Sequence, residues 1–407
     1  MKLLEKIKAS EIQKKILSDK YNSIVFSLKK NSEIYIVGGY IRDLLLKKKD
    51  IDRDYVIRGD PDDFLRKLRR KTGGKVIYLG NKNLFRLMLS NGIVMDFTKM
   101  HKGKIEEDLS KRDFTINAIA WSPETGLIDI YNGIKDLSDR MIRMISRDNI
   151  MKDPVRILRA YRFAGELSFE IEENTHNCLK ELSLLLSTAK TERITLEFFK
   201  VLAIKTPLNI LNMMVKDNII SSIIHLNNKM LQAKLKEINN IQKIFNEIPL
   251  RYKIKLDNVF SQNITNRGLI RLEIILSGLT ENLFSLSTRI IKRIKTIDKA
   301  CKIIQKNNRQ INNGKLFDAL MVAGDAYLDL LVIKNITGRI KDAERFTLIM
   351  KKGLLSTKEI IMEIKNIRNK EIIGQTIEKM RRAEFLREIK SKASAKKYLK
   401  RVISDLT

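Results

Sequence analysis

Residues 37–46 read Val37-Gly38-Gly39-Tyr40-Ile41-Arg42-Asp43-Leu44-Leu45-Leu46, and residues 50–57 read Asp50-Ile51-Asp52-Arg53-Asp54-Tyr55-Val56-Ile57. The apolar run Ile34–Val37 predicts a buried strand, Gly38-Gly39 a turn, Tyr40–Lys47 a helix and Tyr55–Ile57 a second strand. Glycines after a strand let backbone N–H groups approach an anion, and the helix N-terminus adds positive dipole. Arg42, one turn into that helix, reaches toward the same anion. Two aspartates spaced i, i+2 on a strand share a face. Such a pair grips divalent cations, and two metals roughly 3.5–4 Å apart clamp the attacking and leaving oxygens of a displacement at phosphorus. Mg²⁺, two ions, is the cation this donor set implies, since it binds a few carboxylates together with substrate phosphates. Two registers compete, Asp50/Asp52 and Asp52/Asp54. Asp54 sits at the mouth of the apolar strand, which favours the second.

Outward from this stretch, Asp60-Pro61-Asp62-Asp63 reads as the capped start of a helix running to about Lys71. Lys75–Leu79, Phe85–Leu89 and Ile93–Phe97 read as strands, with Gly73-Gly74 and Asn91-Gly92 as turns. Asp96 then ends a strand, either as a third acidic ligand or as an edge-strand aspartate. After residue 150 strand signals nearly stop, and only Pro207 and Pro249 follow Pro154. Val155, Leu158, Tyr161 and Phe163 recur at helical spacing. The fold class is therefore α+β, a mixed-sheet head followed by an all-α neck, body and tail. The expected divisions are residues 1–147, 148–225, 226–350 and 351–407.

The chain of 407 residues carries a net charge of +31. Drift toward a Lys-rich composition accounts for part of it, but drift does not suppress Asp and Glu, so a polyanionic partner such as nucleic acid is the favoured reading. Residues 351–407 hold 16 basic and 7 acidic residues, densest over 390–401. No apolar run approaches a membrane span, and the charged start at Met1–Lys8 lacks the apolar stretch of a secretory signal. Cys178 and Cys301 lie far apart and read as reduced residues of a cytoplasmic protein.

Three further segments stand out. They are Glu106-Glu107-Asp108-Leu109-Ser110-Lys111-Arg112-Asp113-Phe114-Thr115-Ile116-Asn117-Ala118-Ile119-Ala120, then Ile128-Asp129-Ile130-Tyr131-Asn132-Gly133-Ile134-Lys135-Asp136-Leu137, then Lys152-Asp153-Pro154-Val155-Arg156-Ile157-Leu158-Arg159-Ala160-Tyr161-Arg162-Phe163-Ala164. With the opening stretch, these four ordered motifs resemble the class II tRNA nucleotidyltransferases and bacterial poly(A) polymerases of the polymerase-beta-like superfamily. The resemblance spans about residues 34–200; beyond it the chain is alike only in being helical and basic.

The resemblance implies roles. Asp52 and Asp54 hold the metals. Gly38, Gly39, Arg42, Arg112, Asp113 and Asn117 line the nucleotide site, with Gly39, Arg42 and Arg112 on phosphates or ribose. Asp153 and Arg156 read the base edge of CTP or ATP, and Arg159 and Arg162 complete the site. The chemistry agrees, since a carboxylate accepts from an exocyclic amine while guanidinium donates to ring nitrogen or carbonyl. The plainer reading of Asp153-Pro154 is an N-cap followed by Pro at N1, and both can hold together. Thr191–Glu197 resembles the last family motif and reads as structural. Trp121, Tyr161, Phe163 and Phe169 read as core.

Three departures matter. Lys152 stands where the family usually has Glu, and His101 where it often has Arg. Only about ten residues separate Asp96 from Glu106, where full CCA-adding relatives carry a longer flexible loop; the short form resembles enzymes that add only two cytidines. With three histidines, His101, His176 and His225, and no adjacent His-Asp, an appended metal-dependent phosphohydrolase domain is excluded. The expected partners are the tRNA 3′ end and CTP or ATP, with no membrane and no obligate protein partner. The rival readings are a poly(A) polymerase and a non-catalytic RNA-binding protein.

Overall fold

The structure is a computed structural model that describes residues 9–29, 32–48, 52–59, 61–79, 84–224, 226–279, 284–304, 311–364 and 369–405. Asp50, Asp60 and His225, each used in the sequence reading, lie outside the described residues. The chain divides into two compact units, Met1–Leu226 and Asn227–Thr407.

The first unit opens with helices α1 (Ala9–Ser18) and α2 (Lys20–Leu28) and continues through β1 (Ile34–Val37), α3 (Gly39–Leu45), β2 (Arg53–Ile57), α4 (Pro61–Thr72), β3 (Lys75–Leu79), β4 (Leu84–Met88) and β5 (Val94–Lys99). Then come α5 (Ile105–Leu109), β6 (Ala120–Ser122), β7 (Gly126–Ile128) and α6 (Gly133–Asp139). The seven strands form one mixed sheet in the order β3-β4-β5-β2-β1-β6-β7, and only β2 and β5 run parallel. All four residues of β1 are buried, as a central strand covered on both faces requires. Helix α4 buries Phe64, Leu65 and Leu68, with Asp62 and Asp63 in its first turn and Arg69, Arg70 and Lys71 in its last, complementing its dipole. Asn22 of α2 is fully buried but satisfied: its amide donates to the Ile16 carbonyl at 3.1 Å and to the Tyr40 hydroxyl at 2.6 Å, and its oxygen accepts from Tyr55.

The neck follows as α7 (Arg147–Lys152), α8 (Val155–Leu167), α9 (Glu173–Glu181), α10 (Thr191–Ala203) and α11 (Leu208–Lys216). Helix α8 buries eight residues, including Val155, Leu158, Tyr161 and Phe163, because α10 and α11 both pack on it. Trp121, Tyr161, Phe163 and Phe169 are core residues, as their spacing indicates. No adjacent His-Asp occurs in the sequence, yet folding brings His176 Nε2 to 2.6 Å from Asp217, which also accepts from Tyr161 at 2.8 Å. That pair ties α9 and α8 to the end of α11.

The second unit consists of α12 (Asn228–Glu247), α13 (Leu250–Asp257), α14 (Asn266–Leu276), α15 (Thr288–Ile303), α16 (Asn313–Ala323), α17 (Tyr327–Ile333), α18 (Ile340–Lys351), α19 (Thr357–Glu363), α20 (Lys370–Phe385) and α21 (Lys392–Ser404). All ten residues of α14 from Arg267 to Leu276 are buried, which makes it the central helix. Helix α21 buries Ala395, Leu399 and Val402, and leaves Lys392, Lys396, Lys397, Lys400 and Arg401 in solvent. Among the described residues no helix is long and apolar enough to cross a membrane.

Candidate nucleotide site

Gly38 is the N-cap of α3 and adopts φ 67°, ψ −126°, a conformation side-chain-bearing residues avoid. A Cβ on Gly38 would stand 2.4 Å from Arg112 Nη1, so the absence of a side chain lets the Arg112 guanidinium lie on the turn. Arg112 Nη1 donates to the Asn117 carbonyl at 3.3 Å and Nη2 to Asp108 at 3.2 Å, while its buried Nε has no partner. Arg42 is buried and fully engaged: Nε and Nη2 donate to Asp43 at 2.9 and 2.7 Å, and Nη1 to the Asn117 side chain at 2.6 Å. The helix therefore starts at Gly39, one residue before the sequence reading, and carries the Arg42 fork into the protein. Gly38→Ala combines a strained φ with a clash on Arg112; we expect a loss of about 1–3 kcal/mol, read by thermal unfolding.

Asp113 joins this group to the neck. Its carboxylate accepts from the Phe114 N–H at 2.9 Å, the Asn117 amide at 2.9 Å, and Arg159 Nε and Nη2 at 2.7 and 2.6 Å. Burial opposes its charge, but Arg159, Asn117 and the Phe114 N–H outweigh it and hold the carboxyl below its usual range. Glu197 of α10 is the second anionic hub. Burial again opposes its charge, and Arg162 at 2.7 Å and Lys200 at 2.9 Å keep its pKa low, with Arg159 at 3.8 Å. Phe163 lies under three guanidiniums, with Arg42, Arg159 and Arg162 at 4.9, 5.2 and 4.1 Å from its ring centroid. It is a core residue that also serves as a platform for the site's arginines.

The two aspartates of the Asp-x-Asp pair lie at the start of the neighbouring strand. Asp52 is exposed and immediately precedes β2; Asp54 is the second residue of β2 and half-buried. Burial pushes the Asp54 pKa up to about 6; Arg112 pulls against this, while Asp96 and Asp52 add to it. Its carboxylate forms no ion pair among the described residues. A carboxylate so crowded by like charge and left without a partner fits a cation-binding role, and its oxygens suit a hard divalent ion. Asp96 does not end its strand. It lies mid-strand, directly beside Asp54 in the parallel β2–β5 register, and both its oxygens accept from Arg86 at 2.8 and 2.7 Å. Among the described residues no three His, Cys, Asp or Glu side chains converge to hold an ion, so Asp96 acts on Asp54 through its charge.

On the neck, Asp153 does not cap α8. Pro154 occupies the N-cap position without a side-chain cap bond, and Asp153 ends α7 with φ −140°, ψ 82°. Its carboxylate is free of capping because Arg193 takes it in a two-pronged grip, Nη1 and Nη2 at 2.9 and 2.8 Å. Arg156 Nε lies 3.6 Å from the same group. The Thr191–Glu197 segment, read as structural, thus supplies two site residues, Arg193 and Glu197. Sequence reasoning missed both, along with Arg86 and the platform role of Phe163. The third motif buttresses from behind: Asp129 accepts from Gly133 and Ile134 N–H at 2.7 and 2.9 Å, and Asp136 accepts from Thr115 at 2.7 Å. Asn149 of α7 donates to the Ser110 and Arg112 carbonyls at 2.7 and 2.9 Å, fixing the backbone of Arg112 to the neck.

The mixed sheet thus offers a glycine turn, a nearby aspartate pair and a neck-borne Asp-Arg pair, an arrangement that resembles a nucleotidyltransferase head. Residues 34–143 match the poly A polymerase head domain, and residues 168–226 match the probable RNA and SrmB-binding site of polymerase A. Over these stretches, which together make up less than half of the chain, it is similar to poly(A) polymerases. It is 39% identical over 171 residues to a CC-adding tRNA nucleotidyltransferase of Geobacter sulfurreducens, covering 41% of this chain and 40% of that protein. It is 36% identical over 165 residues to an A-adding tRNA nucleotidyltransferase of Aquifex aeolicus, covering 36% of this chain and 20% of that one. The alignments thus span less than half of these relatives. The fold resembles that of a Thermotoga maritima CCA-adding enzyme complexed with tRNA, with a TM-score of 0.75 and 23% identity over 98% of both chains.

Proposed function

We propose that the protein is a template-independent, cytoplasmic tRNA nucleotidyltransferase that adds cytidines to the tRNA 3′ end from CTP. The observation that carries this reading is the joining of Gly38, Arg42, Arg112 and Asp113 to Arg159 of α8, beside the Asp52/Asp54 pair. The terminal ribose hydroxyl attacks the α-phosphorus of CTP; a P–O3′ bond forms, and the bond to the bridging oxygen of pyrophosphate breaks. Asp52 and Asp54 would hold two Mg²⁺ ions, whose chemistry is to favour the alkoxide form of the hydroxyl and to neutralise the departing pyrophosphate. Gly38, Gly39 and Arg112 would cradle the triphosphate, while Arg42 and Asn117 hold the turn in shape. Asp153 would accept from the cytosine exocyclic amine. Arg156 would donate to ring nitrogen and carbonyl through the terminal nitrogens that Asp153 leaves free. Arg193 would act as a positioning residue, since each carboxylate oxygen it engages keeps a further lone pair for the base. The exposed cations of α21 would grip the RNA backbone without reading sequence.

Restriction to CTP rests on the connection between β5 and α5. It is only Met100–Lys104 and folds into a tight turn over His101–Gly103 with Lys102 and Gly103 at positive φ, which leaves the pocket little slack to reshape from C to A. With tRNA transcripts ending before CCA, CTP alone and CTP together with ATP are both expected to give a product that stops at CC, and ATP alone none. A product ending CCA would overturn the loop argument, long A tracts on generic RNA would assign a poly(A) polymerase, and no incorporation from CTP would refute the reading outright.

A further inference from the structure

The sheet holds the aspartate end of β2 on one side only. The β1–β2 register runs from Ile34↔Ile57 to Ile36↔Tyr55 and stops before Asp54, whereas the β2–β5 register continues through Asp54↔Asp96 to Arg53↔Met95. Asp52 lies just outside the strand. Side chains alternate along a strand, so Asp54 and the preceding Asp52 face one side of the sheet while Arg53 and Tyr55 face the other. One turn of α2 meets the Arg53 side. Asp19, the N-cap of α2, accepts from the Tyr21 and Asn22 N–H groups at 2.9 and 3.0 Å. The same carboxylate takes the Arg53 guanidinium in a fork, Nε on one oxygen and Nη2 on the other, and the two side chains are only 16% and 20% exposed. The Arg53 guanidinium also lies over the Tyr21 ring, 5.6 Å from its centroid, and the Tyr21 hydroxyl accepts from Asn91 of the β4–β5 turn at 2.8 Å. Asn22 accepts from the Tyr55 hydroxyl, two residues along β2, and donates to Tyr40 of α3 at 2.6 Å. Three residues of one turn, Asp19, Tyr21 and Asn22, therefore grip β2 twice, the hairpin that carries Asp96 once, and the helix after the glycine turn once.

We propose that Arg53, clamped by Asp19, is a positioning residue that fixes the Asp52/Asp54 pair for cation binding, so that the first turn of α2 supports the cation site from the far face of the sheet. This rests on the reading of Asp52 and Asp54 as cation ligands. The constraint passes through the backbone. Holding the Arg53 side chain holds the peptide planes on either side of it, and those planes set the directions of the carboxylates at 52 and 54. A two-pronged guanidinium–carboxylate contact supplies direction as well as energy. The Asp19 carboxylate is itself anchored by two backbone N–H groups, so it does not swing with its partner. The acids at 52, 54 and 96 repel one another, and an end of strand released from Arg53 would relax by spreading them. The sign of the effect separates positioning from plain charge. Arg53 is a cation in sequence between the two aspartates, so Coulomb's law alone makes its removal strengthen cation binding, whereas positioning makes its removal weaken it.

The full chain is titrated with Mn²⁺ without nucleotide, free Mn²⁺ is read by its electron paramagnetic resonance signal, and each variant is melted in chelator to choose a temperature at which it is folded. Asp19→Asn, which keeps an N-cap acceptor, and Arg53→Met are each expected to weaken Mn²⁺ binding by about tenfold or more, and the double variant to bind no more weakly than the worse single one. Arg53→Lys keeps the charge without the fork and should recover part of the loss. Parental Mn²⁺ affinity in Asp19→Asn, tighter binding in Arg53→Met, or losses that add in the double variant would overturn the inference, even where Tm falls. Asp54→Ala separates that failure from a failure of the underlying reading. Binding lost in Asp54→Ala but parental in Asp19→Asn removes the positioning role alone; parental binding in Asp54→Ala, or none in the parent, removes the cation site and the positioning role together.

Discussion

Asp52→Ala and Asp54→Ala are each expected to lower cytidine incorporation by at least about 10³-fold while leaving tRNA affinity nearly unchanged. The reason is a separation of labour. RNA affinity comes mostly from cations on phosphates, and the exposed Lys and Arg of α21 lie in a different unit from β2. In the proposed reaction the aspartates would contribute charge where pyrophosphate leaves and the ribose hydroxyl attacks. Asp54→Asn should fail as fully as Asp54→Ala, because a neutral amide does not neutralise or localise divalent cations. Stability separates this from a folding defect. The Asp54 pKa stands at about 6 in the folded chain against 3.8 for the free group, so its contribution is fully present below pH 3.8 and is lost as pH rises through 6. At neutral pH and with metal chelated, Asp54→Asn should therefore melt at the same temperature as the parent or higher. Single-turnover extension, filter binding of tRNA and thermal unfolding in chelator measure the three quantities. Residual turnover within tenfold of the parent would remove these residues from the reaction.

The local part of this site is legible in the sequence. An apolar tetrad, two glycines and an Asp-x-Asp before a second apolar run specify strand, turn, helix and strand through short-range rules, and the structure returns β1, α3 and β2 in that order. One long-range pair was within reach as well. The Asn91-Gly92 turn puts Arg86 and Asp96 opposite each other across β4 and β5, and counting outward from that turn would have shown Asp96 paired with Arg86. The pairs that assemble the pocket are different. Arg193 reaches Asp153 across 40 residues and Arg159 reaches Asp113 across 46, and neither separation follows from any periodicity. They depend on α10 packing on α8 and on α8 meeting the loop before β6. The capping expectation for Asp153 failed for the same reason. A bidentate guanidinium from α10 outcompetes a backbone N–H for that carboxylate, and Pro154 takes over the N-cap position.

Asp113→Asn should destabilise the first unit by about 2–4 kcal/mol, a fall in Tm of about 5–10 °C, and raise the CTP concentration needed for half-maximal rate. Asp113 is where the head and the neck share a charge. One oxygen receives the Phe114 N–H and the Asn117 amide, and the other receives Arg159. Asn117 passes the constraint to Arg42 through its own oxygen. Replacing the carboxylate by an amide keeps the shape but sets an N–H group or a weaker acceptor against the Arg159 fork. It also leaves the guanidiniums around Phe163 with Glu197 and Glu166 as their remaining anions on the neck side. Several like charges over one ring cannot then all stay where they are, and the expected movement is of Arg159 away from the nucleotide. The pH dependence identifies the cause. Because the Asp113 pKa is held below 3.8 in the folded chain, its contribution is present above that value and is lost as pH falls through the lower folded value. The stability gap between the parent and Asp113→Asn should therefore be constant from pH 5 to 8 and close in stronger acid. A gap that stayed open in strong acid would point to packing rather than charge. An unchanged half-saturating CTP concentration would show that Arg159 binds nucleotide without its partner.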